Sequence, residues 1–199
     1  MSSTPASAAR PEPRLSGDTF IWYVALIEGL TFCVLFGAFA FSRVRHLELF
    51  IQSRQMLDVS MGAINTALLL TSSWCVARAV AAVREGGRAS APLWLGAAWV
   101  CGAGFVALKV SEYAAKAAQG IGLSTNLFFD FYFILTGFHL AHVLAGLIAL
   151  ALVWIGLLRQ LRARPAQPLQ GYALETAAVF WHLVDLLWLV LFPLVYVMH

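Results

Sequence analysis

Apolar residues fill the chain in five long blocks, separated by short breaks that collect the charges. The blocks run roughly over 19–43, 57–83, 91–117, 127–158 and 173–198. An α-helix needs about 20 apolar residues to cross the hydrocarbon core of a bilayer, and each block meets that length. The breaks read SRVRHLELFIQSRQ, REGGRASAP, AKAAQGIGLST and RQLRARPAQPLQ. They hold the Gly, Pro and polar residues at which membrane helices stop. No series of ten-residue segments alternates apolar and polar positions, which argues against a membrane β-barrel. The pattern predicts an all-α integral membrane protein, with residues 18–199 forming a bundle of five transmembrane helices. The fourth block is long enough to tilt, or to begin at the interface where Asp130 stays wet. Pro193, inside the fifth, predicts a kink of the kind membrane helices tolerate.

Composition strengthens the membrane reading. The chain is 61% hydrophobic and 12% charged, with a mean hydropathy of +0.79. Soluble domains sit nearer half apolar and a quarter charged. The net charge of +3 forms no basic stripe, so a nucleic-acid partner has no support. Cys33, Cys75 and Cys101 are scattered through apolar runs without metal-ligand spacing, which argues against disulfides and structural zinc. Residues 1–17 are small, polar and Pro-containing and read as a disordered tail. The small-residue ASA in it precedes the first apolar run, the reverse of a cleaved signal peptide. Lys and Arg set the orientation. Arg10, Arg14, Arg78, Arg84, Arg88, Arg159, Arg162 and Arg164 fall on one side. Arg43, Arg45, Arg54, Lys109 and Lys116 fall on the other. The majority side predicts a cytoplasmic N-terminus and a periplasmic His199.

Ionisable residues inside spans are costly and face the bundle interior or a wet cavity. Glu28 lies mid-span in WYVALIEGLTFCVLF. It reads either as a proton-handling or lipid-contacting acid, or as a neutral carboxyl bonded to a neighbouring helix. Lys109, Glu112 and Lys116 recur at +3 and +7 on one helical face. They read as an ion-pair cluster near the span end, with side chains that snorkel to water. His139 and His142, in GFHLAHVLAG, lie three apart. Glu175, His182 and Asp185 lie within one arc of the fifth helix, beside a Trp181 and Trp188 stripe that reads as packing and interface anchoring. Two readings of the histidines stay open. One is an intramembrane metalloprotein that uses His139, His142, His182 and Asp185, although the several Glu and ExxH pairs of ferritin-like sites are missing. The other is a hydrogen-bonded network that holds the fourth and fifth helices together. A transporter would show internal repeats, and none is visible.

Five segments, in order, carry a family resemblance. FWHLVDLLWLVLFPLVY resembles the WHxVDxxWLxLF segment that ends subunit III of the haem-copper terminal oxidases. GFHLAHVLAG resembles the family's GFHxxHVxxG helix, and LKVSEY its LQxxEY segment. INTALLLTSS resembles LNTxxLLxSS and adds Asn65 to the candidates. IEGLTFCVLFGAFAF is similar to the family's glutamate-containing helix and puts Glu28 on that glutamate. The resemblance covers about residues 19–198.

It implies a cytochrome c oxidase subunit III-like bundle that binds no haem, copper or other redox centre. Haem and copper, or non-haem iron, would belong to a partner, catalytic subunit I of an oxidase or nitric oxide reductase in a bacterial inner membrane. The implied role is accessory: assembly, stability, and proton or lipid access, with phospholipid as a companion. Glu28, Asn65, Glu112, His139, His142, Glu175, His182 and Asp185 are then structural or lipid-contact residues, with none catalytic or metal-binding. Larger members have seven helices. This chain resembles the shorter five-helix forms, which lack the two helices that form the lipid cleft of the long version. The compact loops and the LFPLVYVMH ending look most like the branch associated with nitric oxide reductase.

Overall fold

The computed structural model describes residues 19–87, 89–163 and 171–198. The expected tail at 1–17 lies outside these residues, as do Arg10, Arg14, Arg88, Arg164 and His199 from the orientation argument. Six α-helices follow one another: α1 (Thr19–Arg45), α2 (Leu47–Arg54), α3 (Val59–Arg84), α4 (Ser90–Ala118), α5 (Leu127–Ala163) and α6 (Tyr172–Phe192). A π-helical turn, Pro193–Val197, extends α6. Five of these helices are long and apolar enough to cross a membrane, and they coincide with the five predicted blocks.

The stops have identifiable chemistry. The Asp58 carboxylate accepts from the Ser60 and Met61 N–H groups, 2.8 and 3.3 Å away, and caps the start of α3. α3 and α4 both close on a glycine in the left-handed region, Gly86 at φ 79° and Gly120 at φ 74°. There the Gly87 N–H reaches the Ala82 carbonyl and the Ile121 N–H reaches the Lys116 carbonyl. These are the turn-back bonds that satisfy the last carbonyls of a helix. At Pro193 the missing N–H breaks the α pattern. The Met198 N–H then bonds the Pro193 carbonyl, five residues back, at 2.9 Å.

α2 differs from expectation, since it lies inside the first polar break. Phe50 is the reason: it is 2% exposed and meets the edges of Phe39 and Phe128 at 5.3 and 5.5 Å. Leu47, Phe50 and Ile51 follow helical spacing, but the surrounding charges hide so short a period.

α6 occupies the middle of the bundle, packed against α1, α3 and α5, while α3 and α4 form the tightest pair. Trp181 and Trp188 are 0% and 1% exposed, so they are core residues and not interface anchors. Trp181 fits because Gly102 on α4 and Gly146 on α5 flank it. A Cβ at either glycine would lie 2.8 Å from the indole. Close helix approach through small residues replaces the hydrophobic drive that lipid does not supply. Large apolar side chains such as Leu26, Leu30, Leu93 and Leu152 point outward, as expected of a surface that hydrocarbon solvates.

Candidate functional site

Three groups of polar side chains occupy the spans, each held by a different set of helices. The first lies where α4, α5 and the π turn meet. Lys109 is 0% exposed. Its ammonium donates to Glu112 Oε2 at 3.0 Å, the Tyr132 hydroxyl at 3.1 Å and the Tyr196 hydroxyl at 2.6 Å. Both hydroxyls donate in turn to Glu112 Oε1, each at 2.9 Å. An ammonium has three protons and a phenol one, so every donor in the cluster is used. The rings of Tyr113, Tyr132, Trp188 and Tyr196 surround the cation at 4.7–5.7 Å, close enough for cation–π attraction. Lys116, one turn beyond Glu112, donates to the Met56 carbonyl. The snorkelling expectation is therefore corrected. Lys109, Glu112 and Lys116 are 0%, 6% and 7% exposed and bond inside the protein.

The second group joins α1 to α5. His142 Nδ1 donates to the Phe138 carbonyl at 2.8 Å. A carbonyl only accepts, so Nδ1 carries a proton. Nε2 stands 3.0 Å from Glu28 Oε2, a close polar contact outside the alignment of a good hydrogen bond. With Nδ1 protonated, Nε2 of a neutral imidazole can only accept, so a hydrogen bond to Glu28 would need a proton on the acid or on Nε2. Phe32 and Phe138 wall the imidazole at 5.7 and 4.7 Å. The two side chains remain 23% and 14% exposed, unlike Lys109.

The third group runs along α6. Glu175 Oε1 accepts from Arg84 of α3, with Nε and Nη2 at 3.0 and 2.9 Å. His182 Nδ1 bonds the Ser73 hydroxyl of α3. Asp185, one turn on, is 4% exposed, and its carboxyl makes no well-aligned hydrogen bond, although Ser73 stands near. Deeper inside, Asn65 and His139 are both 0% exposed, and their polar atoms make no hydrogen bond to protein. The His139 ring stacks obliquely on Trp188 at 5.1 Å and meets Phe105 edge-on at 5.8 Å. Next to Asn65, the Thr66 hydroxyl accepts from the Trp188 indole at 2.9 Å.

The predicted residues are thus drawn into separate places. His139 faces Trp188 while His142 faces Glu28, and His182 turns to α3 instead of to either. Among the described residues no three His, Cys, Asp or Glu side chains gather as metal ligands, so the four-ligand metal reading gains no support. Ser73, Arg84, Tyr132 and Tyr196 were not anticipated. The sequence signals for them were a Ser–Ser pair in an apolar helix and a Tyr three residues past the helix-breaking Pro193. Glu28, Glu112 and Glu175 each find a cationic or imidazole neighbour, on α5, α4 and α3.

These arrangements define a membrane helix bundle whose ionisable groups join helices to one another. The chain belongs to the cytochrome c oxidase subunit III family, whose profile, described as "Cytochrome c oxidase subunit III", matches residues 21–199. It is similar to the cytochrome bo(3) ubiquinol oxidase subunit 3 of Pseudomonas aeruginosa. The two are 27% identical over 89% of this chain and 82% of that protein. The quinol oxidase subunit 3 of Bacillus subtilis is 32% identical over 72% of this chain and 69% of its own length. The cytochrome c oxidase subunit 3 of Thermostichus vulcanus is 31% identical over 86% and 82%. The family resemblance read from the five segments is borne out.

Proposed function

We propose that this chain is a cofactor-free accessory subunit of a respiratory haem-copper oxidase, bound beside catalytic subunit I in a bacterial inner membrane. Oxygen is the acceptor of the complex in this reading, in line with the names of the relatives. The supporting observation is the family match over nearly the whole chain, together with polar side chains that join helices and do not converge on a reactive centre. Haem and copper belong to the partner. The chain contributes assembly and stability through its polar locks. Proton access would run past the Glu28–His142 contact, and the apolar outer face takes phospholipid. The N-terminus is cytoplasmic, the C-terminus is periplasmic, and residues 18–199 act as one unit. The nitric oxide reductase branch rests only on the compact loops and the LFPLVYVMH ending.

Affinity purification of the tagged chain from native membranes, with identification of co-purifying chains, tests the proposal. A haem-containing oxidase subunit I that reduces oxygen is expected. Co-purification of a nitric oxide-reducing catalytic subunit would move the chain to the other branch. Purification of a lone, metal-loaded protein would refute the accessory role.

A further inference from the structure

A groove with a volume of about 490 Å³ lies between α3 and α6, walled by Ala77, Val80, Ala81, Ala178 and Val179. Arg84, Glu85 and Glu175 stand at one end of it, and His182 lines it further along. The depth of that histidine is informative. His182 lies ten residues from Tyr172 and fifteen from Val197, the ends of its span. At ~1.5 Å per residue it is about 15 Å from the nearer end, close to the middle of a ~30 Å hydrocarbon core. Yet His182 is exposed on the outside of the bundle, as is its bond to Ser73. Behind it, Asp185 is 4% exposed without an aligned hydrogen bond.

Hydrocarbon solvates exposed Leu93 or Val100 without difficulty, but it offers an imidazole nitrogen nothing. Intramembrane histidines face protein or water for that reason. An acyl chain could fill the groove but would leave the ring nitrogen unbonded. The mouth does not favour an anionic headgroup, because Glu175 already holds Arg84 at 2.9 Å and Glu85 adds negative charge. A helix carrying a polar side chain meets both needs. The alanines allow its backbone to come close, as small residues do at membrane helix contacts.

We infer that the α3–α6 groove around Ser73 and His182 is the docking face for a transmembrane helix of the catalytic subunit, which presents a hydroxyl, amide or carboxyl group to His182. This rests on the accessory-subunit reading, and the test separates the two.

A photo-crosslinking benzoylphenylalanine is placed at Ala77, in the groove, or at Val100, on α4 and 65% exposed. The complex is then irradiated in native membranes and purified. The Ala77 probe is expected to trap the catalytic subunit at least tenfold more than the Val100 probe. Crosslinks from Ala77 only to lipid or to a second copy, none at all, or equal yields from both sites would overturn the docking face. His182→Phe should also lower retention of the catalytic subunit in detergent about threefold to tenfold, the scale of one interhelical hydrogen bond. Unchanged retention would count against the inference. If the unmodified chain co-purifies with an oxidase and these tests fail, only the docking face is lost. If it co-purifies with none, the accessory reading falls as well.

Discussion

Lys109–Glu112 and Glu28–His142 are both ion-capable pairs inside a membrane span, and they are built in opposite ways. Lys109 is sealed, with each ammonium proton on a protein oxygen and four aromatic rings around it. The Glu28–His142 contact is partly exposed, at 23% and 14%, and is not aligned as a hydrogen bond. A saturated network fixes helices in place, because any member that moves leaves a buried charge unpaired. A partly exposed, unaligned contact is not fixed in that way. Ionisable side chains therefore lock helices together around α4 and make a looser contact between α1 and α5.

Removing one member of the sealed pair should have the largest effect. Lys109→Ala or Glu112→Ala is expected to cost about 3–5 kcal/mol of stability, as when any buried pair is broken. Unfolding of the detergent-solubilised protein would measure it. Lys109→Leu combined with Glu112→Leu should recover part of that loss. If each single variant unfolds like the parent, the lock is not structural.

The glycines around Trp181 come next. Gly146→Val puts a side chain where even a Cβ would approach the indole to 2.8 Å, and such overpacking costs about 1–3 kcal/mol. A variant as stable as the parent would mean that α5 and α6 are not in close contact there.

Tyr196→Phe deletes a single hydroxyl bonded to both charges of the sealed network and should cost about 1.5–3 kcal/mol, with the fold unchanged. Arg84→Ala removes an ion pair whose arginine side chain is 58% exposed, and exposed pairs are worth roughly 0.2–1 kcal/mol.

Glu28→Gln should change stability least of all, yet it should decide the chemistry. A hydrophobic carbodiimide is expected to label Glu28 in membranes and leave Glu112 unmodified. Glu28→Gln should abolish the label. Labelling that disappears only with Glu112→Gln would reverse the contrast between the two pairs.

Much of the architecture was legible in the sequence. The block pattern anticipated all five spans, and Gly86, Gly120 and Asp58 mark helix ends by chemistry that depends only on local backbone. What escaped was set by distant neighbours. The +3 and +7 spacing of Lys109, Glu112 and Lys116 correctly put them on one helical face. Their burial, however, depends on Tyr132 and Tyr196, 23 and 87 residues further along. The His139 and His142 pair shows the same limit. Positions three apart differ by about 60° around a helix, enough for one ring to meet Trp188 and the other Glu28. α2 was hidden because eight residues leave too little periodicity to stand out from the charges.

The most direct test of the account is to strip this chain from the purified oxidase complex and analyse both fractions. The separated chain should contain no stoichiometric haem, copper or iron. The remaining complex should still reduce oxygen at the start of the assay and lose activity faster than the intact complex during sustained turnover. Metal retained by the separated chain, or a stripped complex that is inactive from its first turnover, would contradict the accessory role.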